Sequence, residues 1–247
     1  MIWYLARHEW RGLFRTSLGW ALLALAQIGL GTSTYVLLSN YQQKLQLLQV
    51  TRGVSYEVAG LLIGLCVYLC LFLVPMVAVA LIANERRQCT WPLLFTSPVS
   101  LWEIILGKYF GLLMYIALIE FSLLICLVPV AYASALDYGL VTAALLGAFL
   151  LMASFGAIAL FIACLTTHTV LALFGSMGVL LAFILLELFA NTRIVWVDGL
   201  LAQLSPIQHL HGFLEGLVNF TDLLYFVTLI VLFLVLSVLR ITRRRLL

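Results

Sequence analysis

Glu120 is a carboxyl set well inside an apolar run, where an ionised group costs on the order of several kcal/mol unless it is paired or hydrated. Such a residue serves a transport path or a helix interface, or else packs as a neutral or hydrogen-bonded group against a Ser or Tyr of a neighbouring helix. Glu187, near the end of a later apolar run, has Arg193 close by to neutralise it and reads as local structure. Catalytic patterns are thin. Gly175-Ser176-Met177-Gly178 sets a serine among glycines, but the order is not that of a Gly-x-Ser-Gly nucleophile, and no histidine lies in a later apolar run to act as base. His209 and His211 are two apart, which on a helix turns them about 200° from each other and speaks against a shared metal. His168, in a short polar turn, reads as a capping residue. No G-x-x-x-x-G-K-[ST] phosphate loop occurs: Gly107-Lys108 lacks both the earlier glycine and the following hydroxyl. No catalytic residue and no metal site is expected.

These residues are positioned by apolar helices. Hydrophobic residues make up 65% of the 247 and charged ones 9%, a balance that excludes a water-soluble globule of this size. A spanning helix needs about 20 apolar residues, and the runs at about 18–39, 58–83, 104–130, 141–165, 170–190 and 223–240 supply six. The fold class is therefore all-α integral membrane, with 1–247 as a single transmembrane domain. The net charge of +3 gathers at the edges of the apolar runs, so nucleic acid is not a partner and membrane lipid is. Cys66, Cys70, Cys126 and Cys164 lie in apolar runs as small packing residues, and Cys89 reads as a reduced thiol.

Residues 1–17 place Arg7, Arg11 and Arg15 at i, i+4, i+8, with Trp3, Trp10 and Phe14 largely on other faces, as in a basic interfacial helix. Trp3, Glu9 and Trp10 interrupt what would be the apolar region of a cleavable signal. With this end inside, Arg7, Arg11, Arg15, Arg86, Arg87, Lys108, Arg240, Arg243, Arg244 and Arg245 are cytoplasmic, while Lys44, Arg52 and Arg193 are outside. That asymmetry is strong, and an even number of spans returns the basic tail to the same side.

Two connections are unusual. In 84–103, a charged start is followed by a short amphipathic piece and a turn at Pro98; Ser100 and Glu103 then form a capping box that opens the third span. Lys108, one turn further on, can snorkel its ammonium to the cytoplasmic surface. The outer link 191–222 is too apolar for a loop. Leu200, Leu204, Ile207, Leu210, Phe213 and Leu217 recur at helical spacing, and Ser205, Pro206 and Gln208 make a capped helix start. Two short helices are expected there, re-entrant or interfacial. Gly147, Gly175, Gly178 and Ala182 offer small surfaces for close helix approach.

The run from Glu85 to Tyr109 resembles the signature of ABC-2 type exporter permeases, in which an acidic start and a Gly-Thr pair lead into Leu-Leu, Thr-x-Pro-Val-Ser, a Glu and a Gly-Lys. Here Cys89 stands in place of the glycine, before Thr90. The stretch Ser205-Pro206-Ile207-Gln208-His209-Leu210, with Phe213, Gly216 and Asp222 to Phe226, resembles the gliding-motility and nitrous-oxide-reductase-maturation permeases within that superfamily. The resemblance implies a permease subunit in the bacterial cytoplasmic (inner) membrane, both ends cytoplasmic, paired with a second copy or a paralogue. Two copies of a separate ABC ATPase would carry the ATP and Mg, this chain binding neither. Glu85, Arg86, Thr90, Trp91, Leu93, Leu94 and Pro98 would contact that ATPase, with Arg7, Arg11 and Arg15 at the same surface. Pro206, Phe213 and Gly216 would form an outer gate, and Glu120 would face the transport path or the dimer interface. The alternative is a membrane scaffold or assembly protein that transports nothing.

Overall fold

Ser100 and Glu103 cap each other as their spacing requires: the Glu103 N–H donates to Ser100 Oγ at 3.3 Å and the Ser100 N–H to Glu103 Oε2 at 3.0 Å. Asp137 starts another helix by accepting from the N–H groups of Gly139 (2.9 Å) and Leu140 (3.3 Å). The computed structural model describes residues 2–46, 53–87, 100–133, 136–166, 168–189 and 203–245. In chain order these build α1 (Ile2–Arg15), α2 (Ser17–Gln46), a π-helical segment (Ser55–Gly60) that runs into α3 (Leu61–Arg87), α4 (Leu101–Ala133), α5 (Tyr138–Leu165), α6 (Thr169–Phe189), α7 (Pro206–Leu214) and α8 (Phe220–Arg245). Among the described residues there are six helices long and apolar enough to cross a membrane: Ser17–Gln46, Ser55–Ala83, Leu101–Tyr132, Tyr138–Leu165, Thr169–Leu186 and Phe220–Arg243.

Every spanning helix but α6 outruns the apolar window that marked it. α2 continues through Gln42, Gln43 and Lys44, and helical structure resumes at Ser55, so the gap between the apolar runs 18–39 and 58–83 is largely helical. Gln, Lys and Glu are good helix formers, and polarity marks where a helix leaves lipid, not where it stops.

α5 is the central helix and packs against α3, α4, α6, α7 and α8. Its inward surface is built from Ala143, Ala144, Gly147, Ala148, Ser154, Gly156, Ala157 and Ala159, all buried, and small side chains let neighbouring backbones approach where lipid supplies no hydrophobic drive. α3 and α8 are its main partners; α3 is mostly buried even around Pro75, while α2, α6 and α8 present most of their surface outward. Gly178 has nothing within 4 Å of where a Cβ would be and, like Ala182, is exposed; Gly175 is exposed as well, but a Cβ there would lie 3.5 Å from Ile162 of α5. Cys66, Cys70 and Cys164 are buried, and Cys126 Sγ lies 3.9 Å from Gln27 Oε1. Cys89, Arg52 and Arg193 lie outside the described residues, as does the side chain of Glu187.

Candidate functional site

α1 is strongly amphipathic. Ala6 and Leu13 are buried, while Arg7, Arg11 and Arg15 line its exposed face at the expected spacing. The buried face lies on α4 at two glycines. A Cβ on Gly107 would stand 2.7 Å from Leu5 Cβ, and one on Gly111 would stand 3.0 Å from Glu9 Cβ. Between them sits Lys108, whose side chain is 1% exposed. Its Nζ donates to Glu9 Oε1 at 2.8 Å and to the Leu81 carbonyl at 3.1 Å. One cation thus ties together α1, the end of α3 and the start of α4.

The expected snorkelling of Lys108 is therefore corrected: the ammonium turns inward to a carboxylate. The reason is α1. By lying across Gly107 and Gly111 it closes the route to water and supplies Glu9, the single acidic residue in 1–17, as replacement for hydration. A buried charge is tolerated when it is paired and its remaining hydrogens find acceptors.

The corner between α1 and α2 is an aromatic cluster. Phe14 meets Trp10 at 5.2 Å, Trp20 at 5.3 Å and Tyr115 of α4 at 5.9 Å. Trp20 Nε1 donates to the Phe14 carbonyl (2.9 Å), and Tyr115 Oη donates to the Gly19 carbonyl (2.9 Å). Trp3, grouped with Trp10 and Phe14 by sequence, is exposed. The corner fixes the direction in which α1 leaves the bundle. Glu85 and Arg86 lie in the last turns of α3, with side chains outside the described residues; Thr90, Trp91, Leu93, Leu94 and Pro98 lie wholly outside them.

At the other end of the bundle, α7 packs Pro206, Ile207, Leu210 and Phe213 inward. Phe213 is fully buried above Gly147 of α5 and 6.3 Å from Phe226. Gly216 takes φ +84° against Leu140 and turns the chain toward α8. Ser205 holds the N-cap position and Pro206 the first turn, but the Ser205 hydroxyl makes no cap bond and Gln208 is exposed, so the expected capping box is absent. His168 also takes a cap position through its backbone, its carbonyl accepting from Ala172 N–H at 3.0 Å.

The sequence reading missed His209. Its Nδ1 lies 2.6 Å from Asp222 Oδ1 and its Nε2 lies 3.1 Å from the Gln203 carbonyl, while its ring stacks on Tyr225 at 4.1 Å. Tyr225 Oη donates to the Leu204 carbonyl at 2.7 Å. Both partners of the imidazole are acceptors, so the arrangement is complete when both ring nitrogens carry hydrogen. The available signal was an acid in the first turn of α8, favoured there by the helix dipole, one tight turn after a histidine helix. We expect His209→Ala to lower stability by about 1–3 kcal/mol, since it strands a largely buried carboxylate and unstacks Tyr225; a fall in the thermal unfolding midpoint in detergent measures it.

Glu120 lies in the middle of α4, half-buried, and its Oε1 is buried without a hydrogen-bond partner among the described residues. Neither a Ser nor a Tyr meets that oxygen. Among the described residues no group of three His, Cys, Asp or Glu is placed to hold a metal.

The family model described as ABC-2 family transporter protein matches residues 3–246. Comparison with curated proteins returns no match. The match takes in the basic amphipathic helix, all six apolar helices and the short helix that precedes the last of them, and by it this chain belongs to the ABC-2 family of transporter proteins, as a membrane permease component.

Proposed function

We propose that this permease is an exporter subunit driven by a separate cytoplasmic ATPase, two copies of which bind the ATP and Mg. In this reading the chain has no enzymatic activity, sits in a bacterial inner membrane with both ends cytoplasmic, and pairs with a second copy or a paralogue. The Lys108 junction carries the proposal. It binds the basic helix α1 to α3 and α4 where those two helices lead into and out of 84–103, so a push on that segment from Glu85, Arg86, Thr90, Trp91, Leu93, Leu94 or Pro98 reaches two spans and the amphipathic helix together. The outward-facing small residues of α6 suit close approach by a second permease. Pro206, Phe213 and Gly216 then act as the outer gate, and Glu120 faces the transport path or the subunit interface. Membership of the gliding-motility and nitrous-oxide-reductase-maturation group remains part of this proposal and rests on the 205–226 stretch.

The test is reconstitution with a cognate ABC ATPase. The permease alone should hydrolyse no ATP, and the complex should. Replacing Trp91 and Leu94 together by Ala should lower permease-stimulated hydrolysis by about tenfold, the loss expected when two anchor residues of an interface are truncated, while leaving the thermal midpoint unchanged. Full stimulation by that variant would remove 84–103 from the coupling path.

A further inference from the structure

The end of α2 and the start of the π-helical segment enclose a cleft of about 330 Å³, within the roughly 300–1,000 Å³ range of small-molecule sites. Lys44 and Glu57 both line it and pair with each other, Nζ to Oε2 at 2.6 Å, with side chains 46% and 15% exposed. Asn40 and Gln43 add carboxamides at the polar rim, and Leu37 and Leu61 line its apolar side. Lys44 closes the first apolar helix and Glu57 opens the second, so both stand at the ends of helices long and apolar enough to span, where such a helix leaves the hydrocarbon layer.

An exposed ion pair contributes only about 0–1 kcal/mol to stability, so fastening two helix ends accounts for little of this arrangement. Among the described residues the cleft offers one cation, one anion, two carboxamides, the phenol of Tyr41 and an apolar exit toward the bilayer. A ligand that is only anionic meets Glu57, and one that is only cationic meets Lys44. A ligand carrying both charges a few bonds apart satisfies each partner and exchanges one ion pair for two. Lys44 is the more exposed member, on a flexible four-carbon stem with three donors, and it can swing to a phosphate while the more buried Glu57 stays in place.

We propose that this cleft seats the headgroup of a zwitterionic phospholipid, with the phosphate on Lys44, the ammonium on Glu57 and the acyl chains leaving past Leu37 and Leu61. The bound lipid spans the ends of the first two transmembrane helices and fills the wedge between them.

Native mass spectrometry of the full chain, delipidated and then given equal amounts of phosphatidylethanolamine and phosphatidylglycerol, tests it. The expected result is one retained phosphatidylethanolamine per chain, preferred by about tenfold over the anionic lipid, as the loss of a charge-assisted contact would dictate. The exchange K44E/E57K keeps an ion pair but reverses its polarity, and should abolish the preference. Leu61→Trp leaves both charges in place, fills the cleft, and should abolish retention. Soluble phosphoethanolamine in excess should fail to displace the lipid, because it lacks the apolar portion; displacement would assign the cleft to a small phosphoester and overturn the proposal. Equal retention of both lipids by the unaltered chain, or unchanged retention by L61W, would also overturn it and leave Lys44 and Glu57 as a structural pair.

Discussion

Lys108→Met is expected to destabilise the chain by about 3 kcal/mol, the lower part of the range for breaking a buried ion pair by removing one partner. The ammonium holds the Glu9 carboxylate at 2.8 Å and the Leu81 carbonyl at 3.1 Å, and methionine reproduces the stem without either bond. Glu9 retains 16% exposure, which gives its carboxylate a partial route to water and keeps the loss below the upper end. The double variant K108M/E9L should recover most of the stability, because two apolar side chains of similar length replace two desolvated charges. Recovery separates stability from coupling. If the junction transmits the ATPase stroke, K108M/E9L will fold like the unaltered protein yet stimulate its ATPase poorly, since an apolar contact between α1 and α4 lacks the bond to the end of α3. Thermal unfolding of the three variants gives the first result, and hydrolysis in the reconstituted complex gives the second. A K108M protein as stable as the original would mean that the ammonium is hydrated after all.

Gly147→Ala is the second large effect. A Cβ there would lie 2.5 Å from Phe213 Cβ and 2.6 Å from its Cγ, well inside van der Waals contact and against the fixed root of a side chain. α7 must then move away from α5, at a cost of about 1–3 kcal/mol by the general experience of overpacked cores. Truncating the aromatic ring removes the approach to Cγ but not the one to Cβ, because Phe213→Ala retains the same Cβ. G147A/F213A should therefore be less stable than F213A, whereas a clash with the ring alone would leave the double variant as stable as F213A. The displaced helix is the one proposed as the outer gate, so G147A should also raise protease cleavage beside α7. Unfolding midpoints of the four proteins decide the point.

Six apolar helices, the amphipathic character of residues 2–15 and the capping box at Ser100 and Glu103 were legible because each depends on residues close together in the chain. Hydropathy sums over about 20 neighbours, an arginine stripe follows from 3.6 residues per turn, and a capping box needs residues three apart. Helix ends were less legible, since Gln42 to Lys44 and Glu57 are polar and still helical. The family assignment was legible as well, its motifs being short and in order.

Which residues meet across the bundle was decided by the tertiary structure. Lys108 and Glu9 stand 99 positions apart, and by itself a lysine one turn inside a span is best placed by stretching back to water. That solution fails only because α1 folds over Gly107 and Gly111. His209 and Asp222, and Gly147 under Phe213, are of the same kind: polar satisfaction and close packing belong to pairs of helices, and no single helix contains the information. Six apolar segments thus followed from composition along the chain, while the partner of each charge set between them followed from how those segments pack.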